Sequence, residues 1–318
     1  MGQSNTVKTR ILIISDTHNA LPLNTHTDAH DNSHLVPFKW PLPKADVLLH
    51  AGDLTSNGKD LQHERALELL TRIDASLKVV IPGNHDITLD RDYYADNPHL
   101  HASYAKYSPQ KLDEIEHLYT GKHAKAAGIE YMVEGTRTFD LPNGARFTLY
   151  ASAYQPEFYS WAFGYPRHVD RFNPESGDAV NPVTGTTTDA TSVDIMLTHG
   201  PPLGILDRTF RGDDVGCEHL RRAVERAKPR MNCFGHIHEA WGALTKDWSG
   251  AGDHDEHYHQ PDAAECVGQM GAYIDATALR AGQETLFINA SIMDRSYKPR
   301  QSPWIVDMML PKGTLVST

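Results

Sequence analysis

The chain has 318 residues, and its acidic residues outnumber its basic ones by 41 to 30, a formal net charge of −11. A surface that negative repels polyanions, which argues against long DNA or RNA as a standing partner, and 40% hydrophobic residues exclude a disordered chain. Cys217, Cys233 and Cys266 form neither a C-x-x-C nor a paired framework and read as reduced, intracellular thiols, while no apolar run approaches the ~20 residues of a membrane span.

Residues 1–9 read as an N-terminal tail, with no signal-peptide apolar region. Met1-Gly2-Gln3-Ser4-Asn5-Thr6 formally fits an N-myristoylation pattern at Gly2. A single acyl chain would give only marginal, reversible membrane binding, so no stable membrane association is expected. Residues 10–318 read as one domain, since no Pro/Gly/Ser linker divides them.

The first buried strand is expected at Ile11–Ile14, followed by a His-, Asp- and Pro-rich insertion over 19–44. Strands follow at Val47–Leu49 and Val79–Ile81, separated by a helix whose stripe is Leu67, Leu70 and Ile73. A second helix carries Leu112, Ile115 and Leu118. Beyond it come strands at Phe147–Tyr150, Ile195–Leu197 and Cys233–Phe234. Between the last two lies a helix marked by Cys217, Leu220, Val224 and Ala227, which Pro229 ends. Residues 246–283 read as a second insertion, whose Asp253–His259 run is expected to be a solvated loop rather than a metal site. The last strands are Leu286–Ile288 and Trp304–Val306. Several of these runs are apolar at every position, as strands covered on both faces must be.

Polar residues of metal-ligand type follow five of the strands: Asp16-Thr17-His18, Gly52-Asp53, Gly83-Asn84-His85-Asp86, His199-Gly200 and Gly235-His236-Ile237-His238. In an extended segment, residues two apart project on one side, as for Asp16 with His18. Ligands gather at the carboxyl ends of strands in α/β sheets, so the five loops are expected to converge. Mixed oxygen and imidazole donors suit two divalent ions of Mn, Fe or Zn, about 3.5–4 Å apart, better than Ca, with manganese the natural choice for assay. Asp53, alone in its loop, is the candidate bridge. Nineteen histidines against 13 tyrosines and nine phenylalanines point the same way.

In order and spacing, these five motifs resemble those of the calcineurin-like metallophosphoesterase superfamily. The sequence around His199-Gly200-Pro201-Pro202 and Gly235-His236-Ile237-His238-Glu239, with Asn289-Ala290-Ser291, is most similar to its small MPPED-type branch. The resemblance implies an α/β fold, a four-layer αββα sandwich. It implies one metal on Asp16, His18, Asp53 and His238, a second on Asp53, Asn84, His199 and His236, and a hydroxide between them as nucleophile. His85 would then contact the phosphoryl oxygens or protonate the leaving group, or else hydrogen-bond Asp86.

The protein-phosphatase extensions of the second and third motifs are missing, because Pro82 stands where an Arg would clamp a phosphate, and residues 54–58 lack the ligating Tyr of purple acid phosphatases. A small-molecule phosphodiesterase remains, with a cyclic nucleotide as leading substrate. Tyr154, Trp161, Phe163 and Arg167 form either a base-stacking, phosphate-contacting wall or a packed aromatic loop. A metal-stabilised scaffold with little turnover, a small-molecule phosphomonoesterase and hydrolysis of another ester stay open.

Overall fold

In this computed structural model the described residues are 5–24, 37–101, 106–177, 179–184, 192–249, 256–259, 261, 266 and 270–313. Gly2, residues 25–36 of the 19–44 stretch and residues 253–255 lie outside them. The chain enters through β1 (Thr6–Ile14), a short ribbon of β2 (Leu23–Asn24) with β3 (Lys39–Trp40), then β4 (Ala45–His50), α1 (Asp60–Arg72) and β5 (Ala75–Val80). A helical stretch follows: α2 (Arg91–Asp96), α3 (Pro98–His101), α4 (Pro109–Thr120) and α5 (Lys122–Ala126), leading to β6 (Ile129–Tyr131). The second half opens with the hairpin β7 (Glu134–Asp140) and β8 (Arg146–Ser152), then a ribbon of β9 (Gln155–Pro156) with β10 (Gly164–Tyr165). Next come β11 (Ile195–Thr198), α6 (Glu218–Ala227), β12 (Met231–Phe234), β13 (Gly242–Asp247), β14 (Glu256–His259), β15 (Ala272–Ala276), β16 (Glu284–Asn289) and β17 (Trp304–Pro311).

Two sheets result, one ordered β15-β17-β1-β4-β5-β6 and the other β14-β13-β16-β12-β11-β8-β7. At the heart of each, four neighbours run parallel: β1, β4, β5 and β6 in the first, β16, β12, β11 and β8 in the second. The strand period of two sorts their side chains into layers. From β1, Ile11 and Ile13 face the inter-sheet core with Leu149, Leu197, Cys233 and Ile288 of the opposite sheet. Leu12 and Ile14 face outward against α1 and α4 through Ala66, Leu70 and Ile115. On the far side, Met196, Phe234 and Phe287 cover Leu220, Val224 and Ala227 of α6. The fold is an α/β sandwich layered helix, sheet, sheet, helix, as the uninterrupted apolar strands require.

The helices begin where local chemistry allows. The Ser108 hydroxyl caps α4 by accepting from the Lys111 N–H, with Pro109 in the first turn, and Lys228 in a left-handed conformation ends α6 just before Pro229. Three expectations change. The first strand begins at Thr6, inside the stretch read as a tail. Residues 246–283 carry two edge strands, β14 pairing with β13 and β15 with β17, because each continues the hydrogen-bonding edge of a sheet. In α1 the buried positions include His63, Ala66, Leu69 and Leu70, whereas Leu67 is only half-buried. The His63 ring lies 2.8 Å from both the Tyr119 hydroxyl and the Thr88 hydroxyl, so this histidine is a structural one.

Candidate metal centre

The parallel strands of both sheets end on one side of the molecule, where Ser15 bridges to Ser291 and joins the sheets. Backbone hydrogen bonds stitch the loops together: Asp16 N–H to Gly52 O, His18 N–H to Asp53 O, Gly235 N–H to His199 O, and Ile292 N–H to Ser15 O. Asp86 braces the second and third motif loops, its carboxylate accepting from the Gly83, Leu54 and Thr55 N–H groups and the Thr55 hydroxyl. It does not bond the His85 ring.

Inside this frame Asp16, His18, Asp53 and His238 are all buried, with one ligand atom of each within 4.8 Å of the others. The other side of Asp53 faces a second group. Its Oδ2 lies 3.5 Å from His18 Nε2, and its Oδ1 lies 3.5 Å from His199 Nε2. His199 Nε2 stands 2.9 Å from Asn84 Oδ1, and the His236 ring is 5.0 Å from the His199 ring. All seven side chains proposed as ligands therefore meet at one place, around a carboxylate with an oxygen toward each group.

The imidazoles are aimed by their other nitrogens. His18 Nδ1 donates to Thr55 O at 3.1 Å, His199 Nδ1 to Ala51 O at 2.8 Å, and His238 Nδ1 to Asp294 O at 3.3 Å. Each then turns Nε2 inward as an acceptor, the arrangement metal-binding histidines use. The two inward nitrogens of His18 and His238 stand only 3.3 Å apart. Two lone pairs so placed need a positive charge between them, either a proton or a metal cation. Electrostatics agree. Burial, then the charges of Asp16 and Asp86, push the Asp53 carboxyl well up. Burial would also raise Asp16, yet its hydrogen bond and charge interaction with His238 hold it far below the usual range. Burial pushes His236 down to about 3, His85 to about 4, and His18 well below its ordinary value. His238 goes the other way, raised despite burial by its hydrogen bond to and the charge of Asp16. Crowded carboxylates among imidazoles that burial otherwise keeps neutral make a site that a divalent cation completes. The donor set fits two such ions.

The extended geometry expected at these motifs is not what brings the ligands together. Asp16, His18, Asp53 and His236 all have positive φ, between 41° and 67°. Left-handed backbone costs such residues about 1–2 kcal/mol each, and here it turns these four of the seven ligands at their strand ends. Gly83 and Gly235 are needed for a different reason: a side chain on either would collide with a ligand carboxylate, Asp53 or Asp16.

His85 sits between this centre and a cleft of about 480 Å³. Its backbone N–H donates to Asp53 Oδ1 at 2.8 Å and its Nδ1 to Ser56 O at 2.8 Å, which leaves Nε2 unengaged among the described residues. Trp161 lies over its ring at 4.1 Å with a 32° tilt and lines the cleft. Arg167 also lines it, but its guanidinium is engaged with Val215 O and Gly216 O and braces the facing loop. Tyr154 does not reach the cleft. Its ring packs under the Arg171 guanidinium at 3.7 Å and beside the buried Phe163, so the polar Arg171–Glu134 pair covers the face that a ligand would need. Sequence reasoning missed Phe158, Tyr159, Phe210 and Tyr297, which line the cleft although each is more than half exposed. Exposed aromatics carry no periodic signal, so nothing in the sequence singled them out.

Comparison with known proteins adds four results. The chain matches the family model described as calcineurin-like phosphoesterase over residues 9–240. It is 29% identical over 317 residues to metallophosphoesterase domain-containing protein 1 of Homo sapiens, covering 96% of this chain and 73% of that protein. It is 30% identical over 223 residues to UPF0046 protein T07D4.2 of Caenorhabditis elegans, covering 65% and 50%. Among solved structures, a purple acid phosphatase from yellow lupin aligns with 90% of this chain and 44% of its own at 12% identity and a TM-score of 0.39. Among the described residues no helix is long and apolar enough to cross a membrane.

Proposed function

The chain belongs to the calcineurin-like phosphoesterase family, and on that premise we propose that it is a two-metal phosphodiesterase acting on a small ester with a planar group, a cyclic nucleotide foremost. The observation that carries this reading is Asp53, buried between two ligand groups with one oxygen toward each. Asp16, His18 and His238 would hold one ion with Asp53, and Asn84, His199 and His236 the other; the donors suit manganese, iron or zinc. When bound, such a pair lowers the pKa of water toward neutrality and offsets charge on the phosphoryl group.

The chain's own groups supply the rest. His85, with Nδ1 donating to Ser56 O, presents Nε2 to the cleft; burial holds the ring neutral, but an anionic phosphoryl group beside it would favour the imidazolium, whose Nε2–H can hydrogen-bond a phosphoryl oxygen or protonate the leaving alkoxide. Trp161 keeps that ring in place by stacking on it. The cleft walls are aromatic: of eight large apolar side chains exposed among the described residues, Phe158, Tyr159, Phe210 and Tyr297 surround this opening. Planar groups stack well on such walls. The missing arginine beside Asn84 disfavours a doubly charged monoester, and the net charge of −11 favours a small substrate over a long nucleic acid.

The test compares hydrolysis of bis(p-nitrophenyl) phosphate and p-nitrophenyl phosphate by the Mn-loaded protein, with Asp53→Ala as blank. The diester should be cleaved faster. Faster monoester cleavage would make the protein a phosphomonoesterase, and no Asp53-dependent rate on either would leave a metal-bearing scaffold.

A further inference from the structure

We infer that Tyr297 is a further substrate-contacting residue, its phenol donating a hydrogen bond to a phosphoryl oxygen and its ring walling one side of the ester. This rests on the phosphoesterase reading and adds to it a residue outside the five motifs. Tyr297 occupies a tight turn after Ser291. Its N–H donates to Asp294 O at 2.9 Å, and Asp294 Oδ1 accepts from the Ser296 and Lys298 N–H groups at 2.7 and 3.0 Å. The same Asp294 carbonyl accepts from His238 Nδ1, so one residue orients a proposed ligand and the turn that carries the tyrosine.

Three observations point to a ligand-facing role. Tyr297 has φ +54°, a conformation that costs a bulky side chain about 1–2 kcal/mol. Burial does not offset that cost, because the residue is 55% exposed. Its ring stands edge-on to three site imidazoles, with centroids 5.0 Å from His18, 5.1 Å from His238 and 6.1 Å from His85. Its hydroxyl makes no hydrogen bond to any described residue, and the ring lines the cleft together with Asp53, Asn84, His85 and His236. A phosphoryl group resting on the Asp53 centre would have His85 on one flank and Tyr297 on another. Strain held at an exposed aromatic over the reacting groups is what a residue selected for contact, rather than for packing, would show.

The test uses the full chain loaded with Mn, with Tyr297→Phe and Tyr297→Leu variants checked for fold by circular dichroism and for metal by elemental analysis. Calorimetry reads the affinity for inorganic phosphate, and bis(p-nitrophenyl) phosphate gives kcat/KM. Removing the hydroxyl alone should leave the metal content intact and weaken phosphate binding about tenfold. It should also lower kcat/KM by about 10- to 100-fold, the worth of a hydrogen bond to a charged group. The Leu variant should in addition raise KM. Wild-type phosphate affinity in the Phe variant would overturn the proposal, as would loss of metal from it, which would make the tyrosine a support for His18 and His238. The calorimetric arm decides the point even without diester turnover, whereas the Asp53-dependent rate of the wild type tests the phosphodiesterase reading separately.

Discussion

Gly235→Ala should strip the centre of metal although it touches no ligand atom covalently. The backbone φ at Gly235 is not in the left-handed region, so an alanine suffers no conformational strain there; the obstacle is space. A methyl group at this position would overlap Asp16 Oδ2 and the Ser15 hydroxyl and lie 2.7 Å from Ser15 Cβ, whereas real Cβ atoms essentially never come within 3.0 Å of such neighbours. Asp16 would have to withdraw by roughly 1 Å, in a core packed too tightly to yield freely. That carboxylate is also held in place by the His236 N–H at 3.0–3.1 Å, and His238 Nε2 stands 3.3 Å from it. Metal–ligand distances tolerate about 0.2 Å, so a shift of that size removes Asp16 as a ligand and tilts His238 with it.

Overpacking alone should cost about 1–3 kcal/mol, and loss of a well-placed ligand at least 100-fold in metal affinity. At a manganese concentration 100 times the wild-type Kd, metal stabilises the wild type by about 2.7 kcal/mol, and a 100-fold weaker variant by only about 0.4. In a thermal melt the wild type should therefore gain roughly 5 °C on adding manganese and the variant about 1 °C. Gly144→Ala is the control, since nothing lies within 4 Å of its added methyl and only its φ of +87° resists. It should lose about 1 kcal/mol and keep the full manganese response. A Gly235→Ala protein with wild-type metal stoichiometry and an undiminished melting shift would refute the argument that close approach to Asp16 is why glycine stands there.

Asp53→Asn, read by elemental analysis and diester turnover, should abolish activity and release metal, because both ligand groups lose a charge they share; retained activity would show that Asp53 does not bridge them. His85→Ala should lower the rate by about 10²–10⁴ while metal content is unchanged, and loss of metal would mean that the ring is a ligand. Asp307, held down to about 2 by the Arg10 hydrogen bond and, against the opposing effect of burial, by Lys8 and Tyr273, stabilises the fold when ionised. Its folded pKa is depressed, so its contribution should be complete above the unfolded value of about 4 and vanish as pH falls through about 2. Melts of Asp307→Asn against wild type should accordingly differ by roughly 1–3 kcal/mol at pH 7 and converge near pH 2; a gap that persists in acid would contradict the assignment.

The strands and their terminal loops were legible because their signals are local. Ile11–Ile14, Val47–Leu49 and Ile195–Leu197 are apolar at every position, which only a strand covered on both faces tolerates, and each precedes a ligand-type residue within a few positions. The ligand residue types were equally readable, since donor chemistry belongs to the side chain. What depended on tertiary structure was everything set across the chain. Asp53 directs its two oxygens to His18 and His199 because β4 lies beside β1 and the second sheet stacks above. The left-handed backbone at Asp16 and His236 is imposed by that meeting and overrides the extended geometry their spacing suggests. Tyr154 and Trp161, alike as aromatic residues of one loop, part company because Arg171 covers the first and His85 receives the second. Tyr297 enters the site from 280 positions beyond Thr17, carried there by a turn anchored on Asp294. Residue type and local pattern set which groups can act; the register of two sheets sets which of them meet.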